Sequence, residues 1–378
     1  MRKIPEEEFR LLAIAAARLR NDAKNQKQIA AALAVSQTVV YRLLTFARKH
    51  HYLTSREAVL PENIEAEDWN KVEQRYFVDP AFVGALSERV PHGLHLDARI
   101  FSGSYDEFTF AAAGRIIDLI QRAKHIGVMW GRTIEKLIAG IKARRKPRRG
   151  TIECLPLCGE PVYSMTQELL EFSASQLAVN LARSIQASHR GLPCLTGVPA
   201  YVGRKVLAPE SDQPSPWEEF VHGIPNYERI FGTITSDRLA LVNSLDAVLT
   251  GVGIVVTQHG SKDYETGVFI RERVAQEGIA KEALNRIILG DIGGLLIEKP
   301  GLNPRDHQLV KDLNAGWTGI KASHLERVAK SARPGRAPGV IVAAYGEAKA
   351  ELVNEIIKRG YVNELVIDPS LADALKGL

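Results

Sequence analysis

Apolar positions in the first fifty residues repeat with the spacing of amphipathic helices. Three such stretches follow one another along the chain. Their apolar residues are Phe9, Leu12, Ala13, Ala16 and Leu19, then Ile29, Ala30 and Leu33, then Val39, Val40, Leu43, Leu44 and Ala47. Ser36 stands directly before the third stretch, where its hydroxyl can cap a helix. The pattern predicts three helices, with a turn at Ala34 and Val35 between the second and the third.

From about residue 96 the pattern changes, and short apolar runs alternate with amphipathic stretches. The runs lie near 96–103, 125–131, 151–157, 245–253, 283–297, 340–346 and 364–369. This alternation predicts βαβ units and a mostly parallel sheet. The predicted fold class is α/β: a helix-turn-helix domain, with residues 52–54 placed to begin a wing, is followed by a larger α/β domain.

At 378 residues the chain is longer than one ordinary domain. We expect a helix-turn-helix domain over residues 1–56, a linker or oligomerisation segment over 57–95 and the α/β domain over 96–378. Pro61, Pro80 and Pro91 interrupt the middle part. A helix over 67–76 would suit a connector that also forms a dimer contact.

Composition narrows the class of protein. Hydrophobic residues make up 45% of the chain and charged residues 25%, which is typical of a globular protein with a core. No run approaches the roughly 20 apolar residues of a membrane span, and near the start acidic residues stand where a signal peptide needs an apolar stretch. Three cysteines disfavour a disulfide framework. We therefore expect a cytoplasmic protein.

Positive charge is concentrated at the N-terminus. Residues 1–60 carry a net charge of +6, whereas the whole chain carries +5. On the third predicted helix the exposed positions combine amide, hydroxyl and guanidinium groups, which read base edges and phosphates. The candidate DNA-binding residues are Ser36, Gln37, Thr38, Tyr41 and Arg42, with Gln26 on the preceding helix. The alternative interpretation is a plain three-helix bundle with a solvated polar face.

Three glycine-containing turns follow apolar runs of the predicted sheet, where ligands bind in α/β proteins. Gly131, Arg132 and Thr133 stand between a strand and a helix, a suitable place for an anion. Gly251 and Gly253 allow close backbone approach, and Asp291 lies among glycines where it could accept hydrogen bonds from sugar hydroxyls. Glycine at such turns can equally serve the backbone alone. No motif for a metal, a cofactor or a catalytic residue is recognisable, and GVG lacks the third glycine of a dinucleotide fingerprint because position 256 is Val.

These motifs together resemble the SorC family of sugar-responsive bacterial transcription regulators over nearly the whole chain. The most specific segments are WGRT at 130–133, GDIGG at 290–294, YGEAKAELV at 345–353 and VNELVIDPSLADAL at 362–375, behind a helix-turn-helix of the form QxxIAxxLxVSxxxVxRLL. The resemblance implies a winged helix-turn-helix joined to an effector domain related to sugar-phosphate isomerases and deaminases. It also implies homo-oligomers, usually tetramers, on palindromic operators.

By position, the resemblance places an effector phosphate near Gly131, Arg132 and Thr133 and the effector's hydroxyls at Asp291. Lys349 would be a nearby cation, and Ser175 and Gln176 would supply further polar contacts. The chain departs from the family pattern in LPLCGE, in LLIEKPGLN with its Glu298, and in AAYGEAK.

The sequence thus predicts a regulator of a carbohydrate-utilisation operon. Its partners would be double-stranded operator DNA and a sugar, polyol or sugar-phosphate effector, with no catalysis and no membrane. Two rival hypotheses stay open: a sugar-phosphate isomerase or deaminase with an added helical domain, for which no acid/base pair beyond Asp291 is evident, and a constitutive architectural DNA-binding protein.

Overall fold

The computed structural model describes most of the chain. The described residues are 4–21, 24–53, 63–65, 68, 72, 79–143, 152–162, 172–185, 187, 193–207, 217, 220, 224–232, 240–256, 266–333 and 335–378. Most of the expected linker lies outside them, including the helix expected over 67–76 except for residues 68 and 72, as does the expected wing beyond residue 53. No single described helix is long and apolar enough to cross a membrane, although the bent pair Gln26–Ala32 and Gln37–Lys49 passes that test by length and composition.

Within residues 4–53, the described part of the N-terminal unit forms α1 Glu6–Asn21, α2 Gln26–Ala32 and α3 Gln37–Lys49. The apolar residues predicted for α2 and α3 are all buried in one core. Helix α1 differs from the prediction, because every residue from 11 to 17 is buried, whereas Phe9 and Leu19 are only half-buried. A helix that is apolar all round is covered on more than one side. On α1 this burial extends beyond the predicted stripe to Leu11, Ile14 and Ala15.

Helices α2 and α3 meet at a bend of 100°, the angle of a helix-turn-helix. Asn25 caps α2 through the Gln28 backbone N–H, and Ser36 caps α3 through that of Val39. Between the helices Ala34 adopts a left-handed conformation with φ of 51°, which is uncommon outside glycine. The turn predicted at this point is therefore present, and it is held by an alanine.

The larger unit is built on a six-stranded sheet in which every neighbouring pair is parallel, as predicted. Its strands are β1 Asp97–Ile100, β2 His125–Val128, β3 Glu153–Pro156, β4 Ala247–Thr250, β8 Gly339–Ala344 and β9 Glu364–Ile367. The spatial order is β1-β9-β8-β4-β2-β3. Residues within one strand alternate between two cores: Ala247 and Leu249 belong to one, and Val248 belongs to the other.

Helices cover both faces of this sheet. One face carries α5 Tyr105–Ile120, α6 Arg132–Ala143 and α7 Ala174–Ser184; the other carries α4 Pro80–Ser87, α13 Ala322–Lys330, α14 Ala350–Lys358 and α15 Pro369–Lys376. The remaining described helices are α8 Arg204–Leu207, α9 Pro225–Phe231, α10 Val268–Glu277, α11 Lys281–Ile287 and α12 Pro304–Ala315, with short 3-10 turns at Leu241–Ser244 and Glu347–Lys349.

A second sheet corrects one interpretation of the sequence. The segment LGDIGG does not end a strand of the parallel sheet; it forms an antiparallel hairpin of β6 Ile288–Ile292 and β7 Leu295–Glu298, beside β5 Val252–Gly253. Gly293 and Gly294 form the hairpin loop with φ of 54° and 86°. Two successive positive φ values suit the two-residue turn that reverses the chain into an antiparallel partner.

The order of strands creates a crevice between β2 and β4. From β2 the chain continues outward to β3, whereas from β4 it continues through β8 to β9 on the other side. Connections that diverge in this way leave an opening at the carboxyl ends of the two central strands. The small sheet begins at the end of β4, because Gly251 alone separates β4 from β5.

Candidate functional site

A pocket lies at this crevice. It comprises about 530 Å³ of empty space, part of which is open to solvent. Its lining residues are Trp130, Gly131, Arg132, Thr133, Ile134, Gly251, Val252, Gly253, Gly267, Val268, Phe269, Asp291 and Gly293. Six of the nine residues expected to contact an effector are therefore brought together, although they come from three separate parts of the chain.

The first part is the start of α6. Gly131 has a φ of 148°, and its carbonyl accepts the first helical hydrogen bond, from Glu135. The backbone N–H groups of Arg132 and Thr133 thus belong to the first turn, which carries partial positive charge. The Thr133 hydroxyl lies 2.9 Å from the hydroxyl of Tyr105 on α5. Because Arg132 is exposed and Thr133 is half-buried, this edge of the pocket can receive an anion.

Asp291 forms the opposite wall. It is 4% exposed, and one carboxylate oxygen accepts a hydrogen bond of 2.8 Å from the Gly294 backbone N–H. The other oxygen, Oδ2, packs against the Cα atoms of Gly253 and Gly267, where an added Cβ would overlap it. Burial raises the pKa of Asp291, whereas the Gly294 hydrogen bond, Arg273 and Lys349 lower it. A carboxylate held in this way can accept hydrogen bonds from ligand hydroxyls.

Arg273 on α10 supports the hairpin that carries Asp291. The residue is fully buried and donates hydrogen bonds to the carbonyls of Phe269 and Gly294. Its guanidinium also lies 4.9 Å from the Tyr201 ring centroid and 5.3 Å from that of Trp317. Carbonyl oxygens and aromatic faces compensate for the loss of water. Burial lowers the pKa of Arg273 to about 10.

Lys349 lies beside the pocket and does not line it. It ends the 3-10 turn before α14 and is half-buried. Burial lowers the pKa of its ammonium to about 8, against the opposing effects of Asp368 and Asp291. The group therefore remains largely protonated at neutral pH and contributes positive charge behind Asp291.

Ser175 and Gln176 lie at the start of α7 and are not among the lining residues of the pocket. The Ser175 hydroxyl is buried and accepts a hydrogen bond of 2.9 Å from the Leu195 backbone N–H. The Gln176 side chain is exposed and donates to Asn180 on the next turn of the helix. The structure gives both side chains local partners.

Sequence reasoning missed the aromatic wall of the pocket. The Trp130 ring packs against Phe172 at 6.0 Å and against Phe269 at 5.7 Å between centroids. Trp130 could have been predicted, because it belongs to the WGRT segment. Gly267 and Phe269 could not, because they follow a stretch of sequence without a recognisable motif. Within the described residues no cluster of three or more His, Cys, Asp or Glu side chains could hold a metal ion.

The candidate DNA-binding residues lie on one surface. All six are exposed, and Tyr41 retains 61% of its accessible surface. The Ser36 hydroxyl is engaged with the Val39 backbone N–H at 3.3 Å, and the Arg42 guanidinium lies 5.6 Å from the centre of the Phe9 ring. Gln37, Thr38 and Tyr41 therefore project from the first turns of α3, the part of a recognition helix that faces base edges.

A contact joins the two units. Arg18 on α1 is buried, donates to the carbonyl of Ile100 at the end of β1 and lies 5.8 Å from the centre of the Phe101 ring. The chain then turns at Gly103, whose carbonyl accepts a hydrogen bond from Tyr345. Helix α1 therefore contacts the sheet at the carboxyl end of β1, on the side of the sheet where the pocket lies.

Comparison with known proteins gives structural matches only. No protein-family model and no curated protein matches the chain. The full-length sorbitol operon regulator SorC from Klebsiella pneumoniae is 20% identical, with a TM-score of 0.54, and the match covers 98% of this chain and 99% of that one. A transcriptional regulator from Streptococcus pneumoniae is 16% identical, with a TM-score of 0.51 over 79% of this chain and 96% of that one. From one end to the other, the chain has the fold of the full-length sorbitol operon regulator.

Proposed function

We propose that the protein is a transcriptional regulator whose affinity for operator DNA is controlled by a sugar, polyol or sugar-phosphate effector. The observation that carries the proposal is the presence of two features in one chain: an exposed polar face on α3 of a helix-turn-helix, and a pocket at a strand crevice that contains Asp291 and the first turn of α6. The fold shared with a full-length sorbitol operon regulator supports it. Action on chromosomal DNA would be cytoplasmic.

On the DNA side, α3 would enter the major groove through Gln37, Thr38 and Tyr41, and Arg42 would reach a phosphate or guanine. Gln26 and Ser36, at the starts of their helices, would meet the sugar-phosphate backbone. A homo-oligomer of two or four subunits would present recognition helices to repeated half-sites. The chain would divide into residues 1–56, 57–95 and 96–378, with Ile64 and Val72 of the middle segment packed into the core of the first three helices.

On the effector side, an anionic group would bind at the first turn of α6, beside Thr133 and Arg132. The hydroxyls would reach Asp291, and Gly251 and Gly253 would let the ligand approach the backbone. Lys349 would balance the charge of Asp291. In this proposal Ser175 and Gln176 act at the margin of the site, because their side chains already have partners.

The second candidate function, a sugar-phosphate isomerase or deaminase, is less well supported. Such chemistry needs a base poised over the substrate carbon, and the Asp291 carboxylate is tied to the hairpin turn and packed against glycine Cα atoms. Turnover of a ribose or hexosamine phosphate that disappears in Asp291→Asn would overturn the preference for a regulator.

The proposal is tested in two steps on the full chain. Selection from random double-stranded DNA, followed by footprinting, should yield a site with repeated half-sites. A thermal-shift screen with sugars, polyols and their phosphates should then identify compounds that stabilise the protein, and these should change its affinity for the selected site. A protein that selects no DNA sequence would refute the proposal.

A further inference from the structure

A buried carboxylate near the pocket has no function in the proposal above. Glu160 follows β3 and is 6% exposed. Its backbone is fixed by two hydrogen bonds of 2.7 Å, from its N–H to the Val198 carbonyl and from the Ala200 N–H to its own carbonyl. Within the part of the chain that the structure describes, neither oxygen of its side chain has a hydrogen-bond partner. Leaving a carboxylate in this state is costly.

The surroundings of Glu160 offer no compensating cation among the described residues. Burial raises the pKa of its carboxyl to about 7, and only the hydroxyl of Ser173, the capping residue of α7, opposes the rise. Buried carboxylates in proteins are normally paired with a cation or hydrogen-bonded. This one is held rigidly by its backbone, and the Ser173 hydroxyl is the single group among the described residues that stabilises its charge.

Glu160 lies at the same edge of the sheet as the pocket. Strand β3 pairs with β2 so that Pro156 is opposite Val128, and beyond this pair the two chains continue to Glu160 and to Trp130. The Cys158 thiol is close to both regions: burial raises its pKa, the charges of Glu160 and Asp291 add to the rise, and a hydrogen bond from the Trp130 backbone opposes it. Trp130 lines the pocket, and its ring packs against Phe172, the residue before Ser173.

Trp130 provides a second group without a partner. Its indole nitrogen Nε1 is buried and, among the described residues, makes no hydrogen bond. An indole N–H can only donate, whereas an ionised carboxylate can only accept. One edge of the sheet therefore holds an unused donor and an unused acceptor, both near a pocket whose far side suits an anion.

We propose that Glu160 and Trp130 form a hydroxyl-recognition subsite that extends the pocket along the edge of the sheet and selects effectors with a polyhydroxylated chain of several carbons. A hydroxyl satisfies both groups, because it donates to Glu160 and accepts from Trp130 Nε1. An ammonium group could satisfy Glu160 alone. The inference rests on the proposed function, since it describes the far end of the same effector.

The experiment measures binding to the full chain by calorimetry, with inorganic phosphate, glycerol 3-phosphate, D-sorbitol 6-phosphate and D-glucosamine 6-phosphate as probes. The variants are Glu160→Gln, Glu160→Ala and Trp130→Phe. Glu153→Gln is the matched control, because it makes the same change at the opposite end of β3, where Glu153 pairs with Arg229. Thermal unfolding of each variant shows that it is folded.

The expected result is a loss of at least about tenfold in affinity for the hexitol phosphate in both Glu160 variants, the effect of a lost charged hydrogen bond. Trp130→Phe should weaken binding of the hexitol phosphate, and the affinity for inorganic phosphate should be unchanged in both Glu160 variants. The affinity for the short glycerol 3-phosphate should fall little in these variants. Glu153→Gln should bind every probe with the affinity of the wild type.

Three results would overturn the inference. Unchanged hexitol phosphate affinity in both Glu160 variants would show that the carboxylate does not contact the ligand, and equal losses for all probes would show a structural role. A loss confined to glucosamine 6-phosphate would identify a site for a cation. If the wild type binds none of the sugar and polyol phosphates, the proposed effector class itself fails, which is a distinct outcome.

Discussion

The hydroxyl of Tyr105 lies 2.9 Å from Thr133 Oγ1, and this contact joins the first turn of α5 to the first turn of α6 in the pocket. The Tyr105 ring packs at 5.3 Å against Tyr345, which donates a hydrogen bond to the Gly103 carbonyl. Gly103 follows the β1 end on which Arg18 of α1 rests. Contiguous contacts thus connect the proposed anion site to the helix-turn-helix.

Tyr105→Phe should therefore reduce the coupling between effector binding and operator binding more than it reduces effector affinity. We expect effector affinity to change by less than about threefold, while the effector-induced change in operator affinity falls by at least about threefold, within the usual range of allosteric coupling. Fluorescence anisotropy with and without effector measures both. Tyr227→Phe is the control, since it also removes a tyrosine hydrogen bond, of 3.0 Å to Thr318. Equal coupling in Tyr105→Phe and Tyr227→Phe would refute a coupling path through Tyr105.

The double variant Gln37→Ala and Arg42→Ala should abolish operator selectivity and leave effector binding intact, because both residues are exposed on α3. Loss of Arg42 should also make the salt dependence of DNA binding less steep by about one phosphate contact. Thr45→Ala, at an exposed position of the same helix, serves as the control. A normal footprint by the double variant would show that α3 does not read the operator.

Ala34→Gly should stabilise the protein. Ala34 has a φ of 51°, a conformation that costs L-residues about 1–2 kcal/mol and glycine very little. Because glycine also loses more entropy on folding, we expect a net gain of up to about 1 kcal/mol, measured by denaturant unfolding. Ala31→Gly, in the preceding helix, should instead cost about 0.5–1 kcal/mol. A loss of stability in Ala34→Gly would contradict the assigned backbone strain.

Gly253→Ala should disrupt the pocket, because its Cβ would overlap the Asp291 carboxylate. Overpacking of this kind costs roughly 1–3 kcal/mol, and displacement of Asp291 should weaken effector binding by at least about tenfold. Gly84→Ala is the matched control, since its Cβ would meet no atom within 4 Å. Effector affinity that survives Gly253→Ala would mean that the ligand does not depend on Asp291.

Glu160 should make folding stability depend on pH. Its pKa is about 7 in the folded protein against a usual value of 4.5, so the folded state binds more protons between these values. The free energy of unfolding should then decrease as the pH rises from about 4.5 to 7, and the contribution is complete only below about 4.5. Glu160→Gln should show a smaller decrease in denaturant unfolding over this range. Parallel curves for the two proteins would contradict the raised pKa.

The elements that were predictable from sequence are those fixed by local periodicity. Val40, Leu43 and Ala47 recur at helical spacing, and the structure buries all three. The position of Gly253 against Asp291 was not predictable, because antiparallel pairing brings these residues together across a separation of 38 positions. Glu160 gave no signal either, since its lack of partners is a property of the folded chain.

The burial of every residue from 11 to 17 in α1 limits how the N-terminal unit can be transferred to another protein. A fragment ending near residue 56 would lose Ile64 and Val72 from its core. It would also lose the hydrogen bond from Arg18 to the Ile100 carbonyl. Apolar surface would then be exposed to water, and the fragment would tend to associate with itself. Chimaeras built from this chain should therefore be joined beyond residue 103, so that the transferred segment includes Ile100 and Phe101, which contact Arg18.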